Sequence, residues 1–399
     1  MTKEKSYTYI NNGDALPEAC SKLEMASVIA FDLEFDRDRN TYGFDLCLVQ
    51  VATPEHCFII DPLYIEDLSL LFRIFTNPAI QKLVHCPGED LRLLHSLGCY
   101  PQNMGDTEVI AKLLNYEQTS LAKLLDIKCN IQLNKKMQQS NWHQRPLREE
   151  QLYYAAEDVI YLHQLFNLLR EEAAEQGIEK MVEEEFDWLQ TVRYTLEPKT
   201  NFLKPGDIKN LSPKHQYILN EIYLVRDEIA RRKNKPAFMI MPDELVRFLA
   251  ESPHNFQNIQ PRSGLHPSLR HGTAAEQIQM QLEAIFKRSG QSDLSENLQR
   301  NYFSLAERAA WQRRKNRQQR LKDDLFTPVQ KYMADKMGAN AARYMLSNAW
   351  ITRWLLGEVK WESLQPPYKR KLVREAAEAL KAPFTELAAY EGDYFTEKD

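Results

Sequence analysis

The chain has 399 residues, 43% of them hydrophobic and 27% charged, and a net charge of −5. That length accommodates two or three domains, and that composition excludes a disordered chain. The small net charge hides two opposed halves. Residues 1–200 hold 19 Lys and Arg against 32 Asp and Glu, whereas residues 201–399 hold 32 against 24. Such asymmetry suggests two tasks on one chain, the basic half being suited to meet a polyanion.

Met1 to Asp14 is polar and has no positive segment followed by an apolar one, which argues against a signal peptide. No apolar run approaches the roughly 20 residues of a membrane span. No membrane association is therefore expected, and the cytoplasm is the expected location. The six cysteines lie in the first third and form no CxxC pair, so neither a zinc ribbon nor a redox dithiol is indicated. Several sit in apolar segments, where free Cys behaves as a small hydrophobe.

MASVIAFDLEF, DLCLVQVAT and HCFIIDPL predict three closely spaced strands, antiparallel because their connections are short. SLLFRIFTN has helical spacing, QKLVHC predicts a further strand, and GEDLRLLHSLG a helix closed by Gly98. DTEVIAKLLN predicts another helix, with Asp106 or Thr107 able to cap it. A long helix is expected from Leu147 to about Gly177. Strands followed by interleaved helices imply a mixed α/β sheet. The stretch LEPKTNFLKPGDIKNLSP, rich in proline, predicts a linker, after which strand signals nearly vanish.

Three acidic motifs carry chemistry. In Phe31-Asp32-Leu33-Glu34-Phe35, positions i and i+2 of a strand share a face, roughly 7 Å apart along the chain. Two carboxylates there repel unless a cation lies between them, and hard oxygen ligands suit Mg²⁺ or Mn²⁺. Asp90 stands at the start of a helix that follows a strand. Tyr154 and Asp158 are four apart on a helix and share a face, with Ala155 and Ala156 allowing close approach. Each motif alone is commonplace.

In this order the three motifs resemble the DEDD exonuclease superfamily, in the subclass with tyrosine in the third motif. Asp32 and Glu34 match the first motif, Asp90 the second, and Tyr154 with Asp158 the third. Leu48-Val49-Gln50, Asp106-Thr107 and Trp142-x-x-Arg145-Pro146-Leu147 are supporting matches. The resemblance implies an N-terminal α/β domain with a ribonuclease H-like mixed sheet and flanking helices. It also implies that the four carboxylates hold two divalent ions, Mg²⁺ or Mn²⁺, and that Tyr154 positions the attacking water. Attack would run from the 3′ end and release nucleoside 5′-monophosphates. The bulky His85-Cys86-Pro87 departs from the small residues common in the second motif.

Leu211-Ser212-Pro213 through Leu249 is similar to the HRDC module, on the helix ending Ile229-Ala230-Arg231-Arg232 and on Pro242-Asp243-Glu244-Leu245. Residues 316–395 resemble, more distantly, the second helical domain of the ribonuclease D family. The expected organisation is therefore an exonuclease domain over 1–195, a linker over 196–210, an HRDC domain over 211–292 and a divergent HRDC-like helical domain over 300–399. The basic clusters Arg231-Arg232-Lys233 and Arg313-Arg314-Lys315 are candidates for contact with a phosphate backbone, as is Arg145 beside the third motif. Trp311 beside the second cluster offers either a stacking ring or a core residue. His85 is expected to be packed or hydrogen-bonded, and Asp106 to cap a helix.

The expected function is a 3′→5′ exoribonuclease acting as a monomer, with tRNA precursors bearing 3′ extensions as the substrate the family implies. Two alternatives stay open: a DNA exonuclease of the proofreading or repair type, because helicases acting on DNA carry the same helical module, and a catalytically silent RNA-binding scaffold. Intact carboxylates at all four positions argue against the scaffold.

Overall fold

A computed structural model describes residues 7–195, 198–259, 264–297 and 305–381. Residues 196–197 of the expected linker, and 300–304 and 382–399 of the expected last domain, lie outside the described residues.

Six strands form one mixed sheet: β1 (Tyr7–Ile10), β2 (Val28–Arg37), β3 (Phe44–Ala52), β4 (Cys57–Ile60), β5 (Gln81–Val84) and β6 (Met104–Asp106). Their spatial order is β1-β4-β3-β2-β5-β6. The three expected strands are β2, β3 and β4, each antiparallel to the next. β1, β5 and β6 join the edges in parallel. β1 falls in the polar N-terminal stretch, where the sequence marks no element. Its pairing with β4, some fifty residues on, leaves no local signature.

Strand alternation builds the two layers around the sheet. Ile29, Phe31 and Leu33 of β2 pack with α1 (Leu16–Glu24), α2 (Ser69–Thr76) and α3 (Gly88–Ser96). Ala30 of β2, with Leu48 and Ala52 of β3, faces the opposite layer. That layer comprises α4 (Thr107–Leu113), α5 (Leu121–Cys129), α6 (Glu149–Ile160), α7 (Leu162–Glu175) and α8 (Glu179–Thr191). The single helix expected from Leu147 to Gly177 is in fact two, divided at Tyr161 without glycine or proline. The break lets α6 cover β2, β3 and β4 while α7 turns onto β5 and α4.

Among the described residues no strand follows β6. A short helix, α9 (Pro205–Asn210), lies within the expected linker. α10 (Pro213–Lys233), α11 (Ala237–Ile240), α12 (Asp243–Glu251), α13 (Asn255–Ile259) and α14 (Gly272–Gln291) follow. Ile222, Tyr223, Leu249, Phe256 and Leu282 give this group a hydrophobic core of its own. α15 (Leu305–Leu321) runs through a π-helical turn at Lys322–Phe326 into α16 (Thr327–Met337). α17 (Ala339–Met345), α18 (Asn348–Leu355) and α19 (Pro367–Ala379) complete the chain.

These last helices share one continuous core with the α/β domain: Phe326, Met345 and Val373 belong to the same cluster as Leu113, Phe166 and Val182. Asn115 accepts from the Asn340 backbone N–H at 2.8 Å. Gly338 sits so close that a Cβ there would lie 2.1 Å from the Asn115 side chain, and its φ of +88° also favours glycine. Among the described residues no helix is long and apolar enough to cross a membrane.

Candidate active site

Asp32 and Glu34 share β2 with Ala30 and so face the α6 layer, while the odd-numbered neighbours Phe31 and Leu33 anchor the strand on the other side. α6 lies across β2 and β3 and brings Tyr154 and Asp158, one turn apart, over the two acids. Carboxylate oxygens of Asp32, Glu34 and Asp158 all lie within 4.8 Å of one another. Asp90, in the first turn of α3, lines the same pocket from the β5 side but stands outside that 4.8 Å set. The structure thus brings all five residues of the three motifs to one pocket of about 990 Å³.

The electrostatics are those of buried, mutually repelling acids. Burial pushes Asp32 well above the ordinary carboxylate range, and the neighbouring Asp90 and Asp158 push it further. Glu34 rises for the same reasons, burial first and then Asp32, Asp158 and Asp90. Asp90 is pushed up to about 7 by burial, held back by backbone N–H bonds from its own residue and from Leu33. Burial and the surrounding carboxylates raise the Tyr154 hydroxyl, which also hydrogen-bonds to Asp158. The Trp142 ring lies 6.1 Å from the Tyr154 ring, centroid to centroid, and closes the pocket wall. Clustered hard oxygens that repel one another fit a divalent cation, and the donor set contains no sulfur or imidazole that would favour a softer metal.

Residues around the second motif are held by hydrogen bonds within the fold. His85 Nδ1 pairs with Thr107 Oγ1 at 2.8 Å, and burial lowers its pKa to about 4, so the ring is neutral at pH 7. Asp106 caps α4 by accepting from the Glu108 N–H at 2.8 Å, and accepts from the Cys86 N–H at 3.0 Å.

Arg145 corrects the expectation of a phosphate contact. Its Nε and Nη2 grip the fully buried Asp61 at 2.6 and 2.7 Å, Nη2 also reaches the Cys47 carbonyl at 2.8 Å, and Nη1 donates to the carbonyls of Trp142 and Gln144. A guanidinium has five N–H donors, and these five bonds use them all. Cys47 is the extra residue of a bulge, since Glu34 pairs with Leu48 and Phe35 with Leu46. Arg145 therefore satisfies the carbonyl that the bulge frees, and so fixes the bend of β3 beside Glu34.

The two basic clusters stand outside the pocket. Arg231, Arg232 and Lys233 lie exposed at the end of α10, and Arg232 is 3.8 Å from Glu228. Arg313, Arg314 and Lys315 are exposed on α15, with the Lys315 ammonium 5.1 Å from the centre of the Trp311 ring. Trp311 is 55% exposed, so it is a surface ring and not a core residue.

Sequence reasoning missed two cations that line the pocket. Arg37 and Arg39 leave the end of β2 and line the pocket mouth. Arg37 is paired with Glu89, and Arg39 donates to the Gln139 carbonyl at 3.2 Å. The available signal was the pair of arginines in FDLEFDRDR, directly after the acidic strand.

Residues 7–174 match the family described as 3′-5′ exonuclease. The chain is 32% identical over 257 residues to human exosome complex component 10, covering 61% of this chain and 29% of that protein. It is 30% identical over 255 residues to ribonuclease D of Haemophilus influenzae, covering 62% of this chain and 64% of that one. The chain thus spans under a third of the first relative and just under two thirds of the second. The crystal structure of Escherichia coli ribonuclease D, described as an exoribonuclease involved in structured RNA processing, superposes with a TM-score of 0.64 at 23% identity. That superposition covers 94% of this chain and 99% of the other, and it shows a shared fold. Residues 7–174 therefore form a 3′-5′ exonuclease domain of the DEDD fold, and ribonuclease D proteins are homologues of the chain at 30–32% identity.

Proposed function

We propose that this chain is a metal-dependent 3′→5′ exoribonuclease that trims RNA from its 3′ end and releases nucleoside 5′-monophosphates. The observation that carries the reading is the convergence of Asp32, Glu34 and Asp158 within 4.8 Å, in a pocket also lined by Asp90 and Tyr154. Homology to ribonuclease D supports RNA as the polymer, and tRNA precursors with 3′ extensions are the proposed substrate.

Asp32, Glu34, Asp90 and Asp158 would hold two ions, Mg²⁺ or Mn²⁺. When bound, these would activate the attacking water and neutralise charge on the leaving 3′-oxygen. Tyr154 keeps its proton at Oη, because burial and the adjacent acids disfavour phenolate. Its proposed role is to orient a water by hydrogen bonding. Arg37 and Arg39 at the mouth are placed to meet the phosphates of an entering strand.

Beyond the exonuclease domain over 1–195 and the linker over 196–210, we read residues 211–292 as an HRDC module and 300–399 as a divergent second one. The separate core of the first supports its autonomy. The clusters Arg231-Arg232-Lys233 and Arg313-Arg314-Lys315 would hold the body of the RNA while its 3′ end enters the pocket. The same reading makes the chain a cytoplasmic monomer, and sedimentation would check the second point.

The test uses a 3′-extended tRNA precursor and a matched single-stranded DNA, each labelled at the 5′ end. Wild type and Asp158→Asn are incubated with Mn²⁺ or Mg²⁺ and then with chelator. A metal-dependent one-nucleotide ladder on the RNA, absent in the variant, is expected. A ladder mainly on the DNA would replace the RNA reading with a DNA one, and no ladder on either would sink the enzyme.

A further inference from the structure

Gln50 pairs directly with Asp32 in the antiparallel β2–β3 register, upstream of the bulge. Directly opposed residues of such a pair share a face, with Cβ atoms about 5 Å apart. The packing agrees: Leu48 and Ala52, two residues either side of Gln50, face the α6 layer, as does Ala30 two residues before Asp32. Gln50 is thus the polar neighbour of Asp32 on the inner side of the sheet. It is 0% exposed, and neither Oε1 nor Nε2 has a hydrogen-bond partner among the described residues.

A buried primary amide with no partner is costly, and such groups in folded proteins call for an explanation. A purely structural glutamine would bond to backbone or to a neighbouring side chain. Leu or Met would fill the same space without the penalty. The Trp142 Nε1–H, on the wall of the same pocket, is a second buried donor without a partner among the described residues. Two buried side chains with unpaired donors thus lie beside the acidic cluster. The two groups are complementary: the Gln50 amide lacks an acceptor, and the Asp32 carboxylate opposite it in the register offers one.

We infer that Gln50 is a positioning residue for the metal centre: its Nε2 donates to the Asp32 carboxylate when a divalent cation is bound there. The amide then selects which oxygen of Asp32 is left to the cation, much as partners behind a metal's direct ligands orient them elsewhere. This rests on the metal-dependent reading of the site. It adds that β3, which supplies no carboxylate to the cluster, contributes to metal affinity.

The experiment follows thermal melting of the full chain, wild type and Gln50→Met, in chelator and across a Mn²⁺ titration, with no RNA present. In chelator the variant should melt no lower than wild type, since it loses an unpaired buried amide. Its half-maximal metal-induced shift should need about tenfold more Mn²⁺, the lower end of what loss of such a partner costs. Gln50→Leu provides a second apolar replacement of different shape. A folded variant with the wild-type Mn²⁺ midpoint overturns the inference. Collapse of both variants in chelator overturns it too, because Gln50 would then serve folding. A wild type that shows no Mn²⁺ shift fails the metal-dependent reading itself, which separates that failure from this one.

Discussion

The Tyr42 hydroxyl donates to Asp227 Oδ2 at 2.8 Å, tying the loop after β2 to the middle of α10. The Tyr42 backbone N–H reaches Asn234 Oδ1 at 3.2 Å in the same contact. The loop held in this way also carries Arg39 to the pocket mouth. The first helical group therefore touches the exonuclease domain at the segment that borders the acidic pocket. Removing the hydroxyl with Tyr42→Phe forfeits a bond worth about 1 kcal/mol, up to roughly tenfold in local opening. Amide hydrogen exchange should quicken over residues 38–43 and stay unchanged in β3. Equal protection in both proteins would show that the tether does not hold the loop.

The acidic cluster makes a prediction about stability as well as turnover. Asp32→Asn removes one of several mutually repelling groups. In chelator the variant should melt at or above the wild-type temperature. Activity should fall by at least about a hundredfold, since charge stabilisation worth several kcal/mol is lost with the ligand. Loss of activity together with a large drop in melting temperature would place Asp32 in the fold and not in the chemistry.

Glu185 on α8 joins the last helices to the exonuclease domain. It accepts from the hydroxyls of Tyr344 at 2.8 Å and Tyr368 at 2.5 Å, and pairs with the buried Lys369 ammonium at 2.8 Å. Glu185→Gln strands that ammonium in the interior, and breaking a buried pair from one side costs about 3–5 kcal/mol. Glu185→Gln with Lys369→Met should recover much of the loss, because both charges are then gone. Urea unfolding of the two singles and the double provides the cycle. Additive losses would mean that the pair is not coupled.

Lys82 gives a pH signature distant from the catalytic chemistry. Its side chain is fully buried, with Nζ donating to the carbonyls of Asn77 and Ile80, each at 2.6 Å. Burial lowers its pKa to about 8, and the nearby Cys99 opposes the shift only in part. A neutral amine still has two hydrogens for the two carbonyls. Between about pH 8 and the unfolded value near 10 the unfolded chain binds the extra proton, so stability rises with pH across that window. The melting temperature of wild type, measured relative to Lys82→Met, should increase from about pH 8 to about pH 10. A constant difference would mean that Lys82 keeps its proton in the folded state.

How much of this was legible in the sequence follows from how local each signal is. Asp32 and Glu34 alternate with Phe31, Leu33 and Phe35, and Tyr154 and Asp158 lie one helical turn apart; such spacings fix faces without knowledge of partners. Asp106 as a cap is local in the same way. Arg145 lay beside a motif and suggested phosphate, but its role depends on Asp61, 84 residues away, and on a bulge at Cys47 that no pattern of residue types announces. The shared core of the last helices depends on Asn115 meeting Gly338 and Glu185 meeting Lys369, which are likewise non-local. Gln50 lay in plain view, yet only strand register places it opposite Asp32.

α15 offers a test of the proposal that the basic helices hold RNA. From Arg308 to Arg317 every residue of this helix is exposed, which is unusual for a helix packed along one face. Arg313, Arg314 and Lys315 follow one another on it, and Trp311 lies beneath the Lys315 ammonium. A cationic helix with an exposed indole offers both phosphate neutralisation and a stacking surface. Arg313→Glu with Arg314→Glu should weaken binding of a structured RNA and flatten the dependence of log Kd on log salt by about one unit per lost phosphate contact. Trp311→Ala should weaken binding while leaving that slope unchanged, because stacking releases no counterions. Fluorescence anisotropy on the Asp158→Asn background measures both without cleavage. An unchanged slope in the charge-reversed protein would move RNA binding to α10, where Arg231, Arg232 and Lys233 provide the other basic cluster.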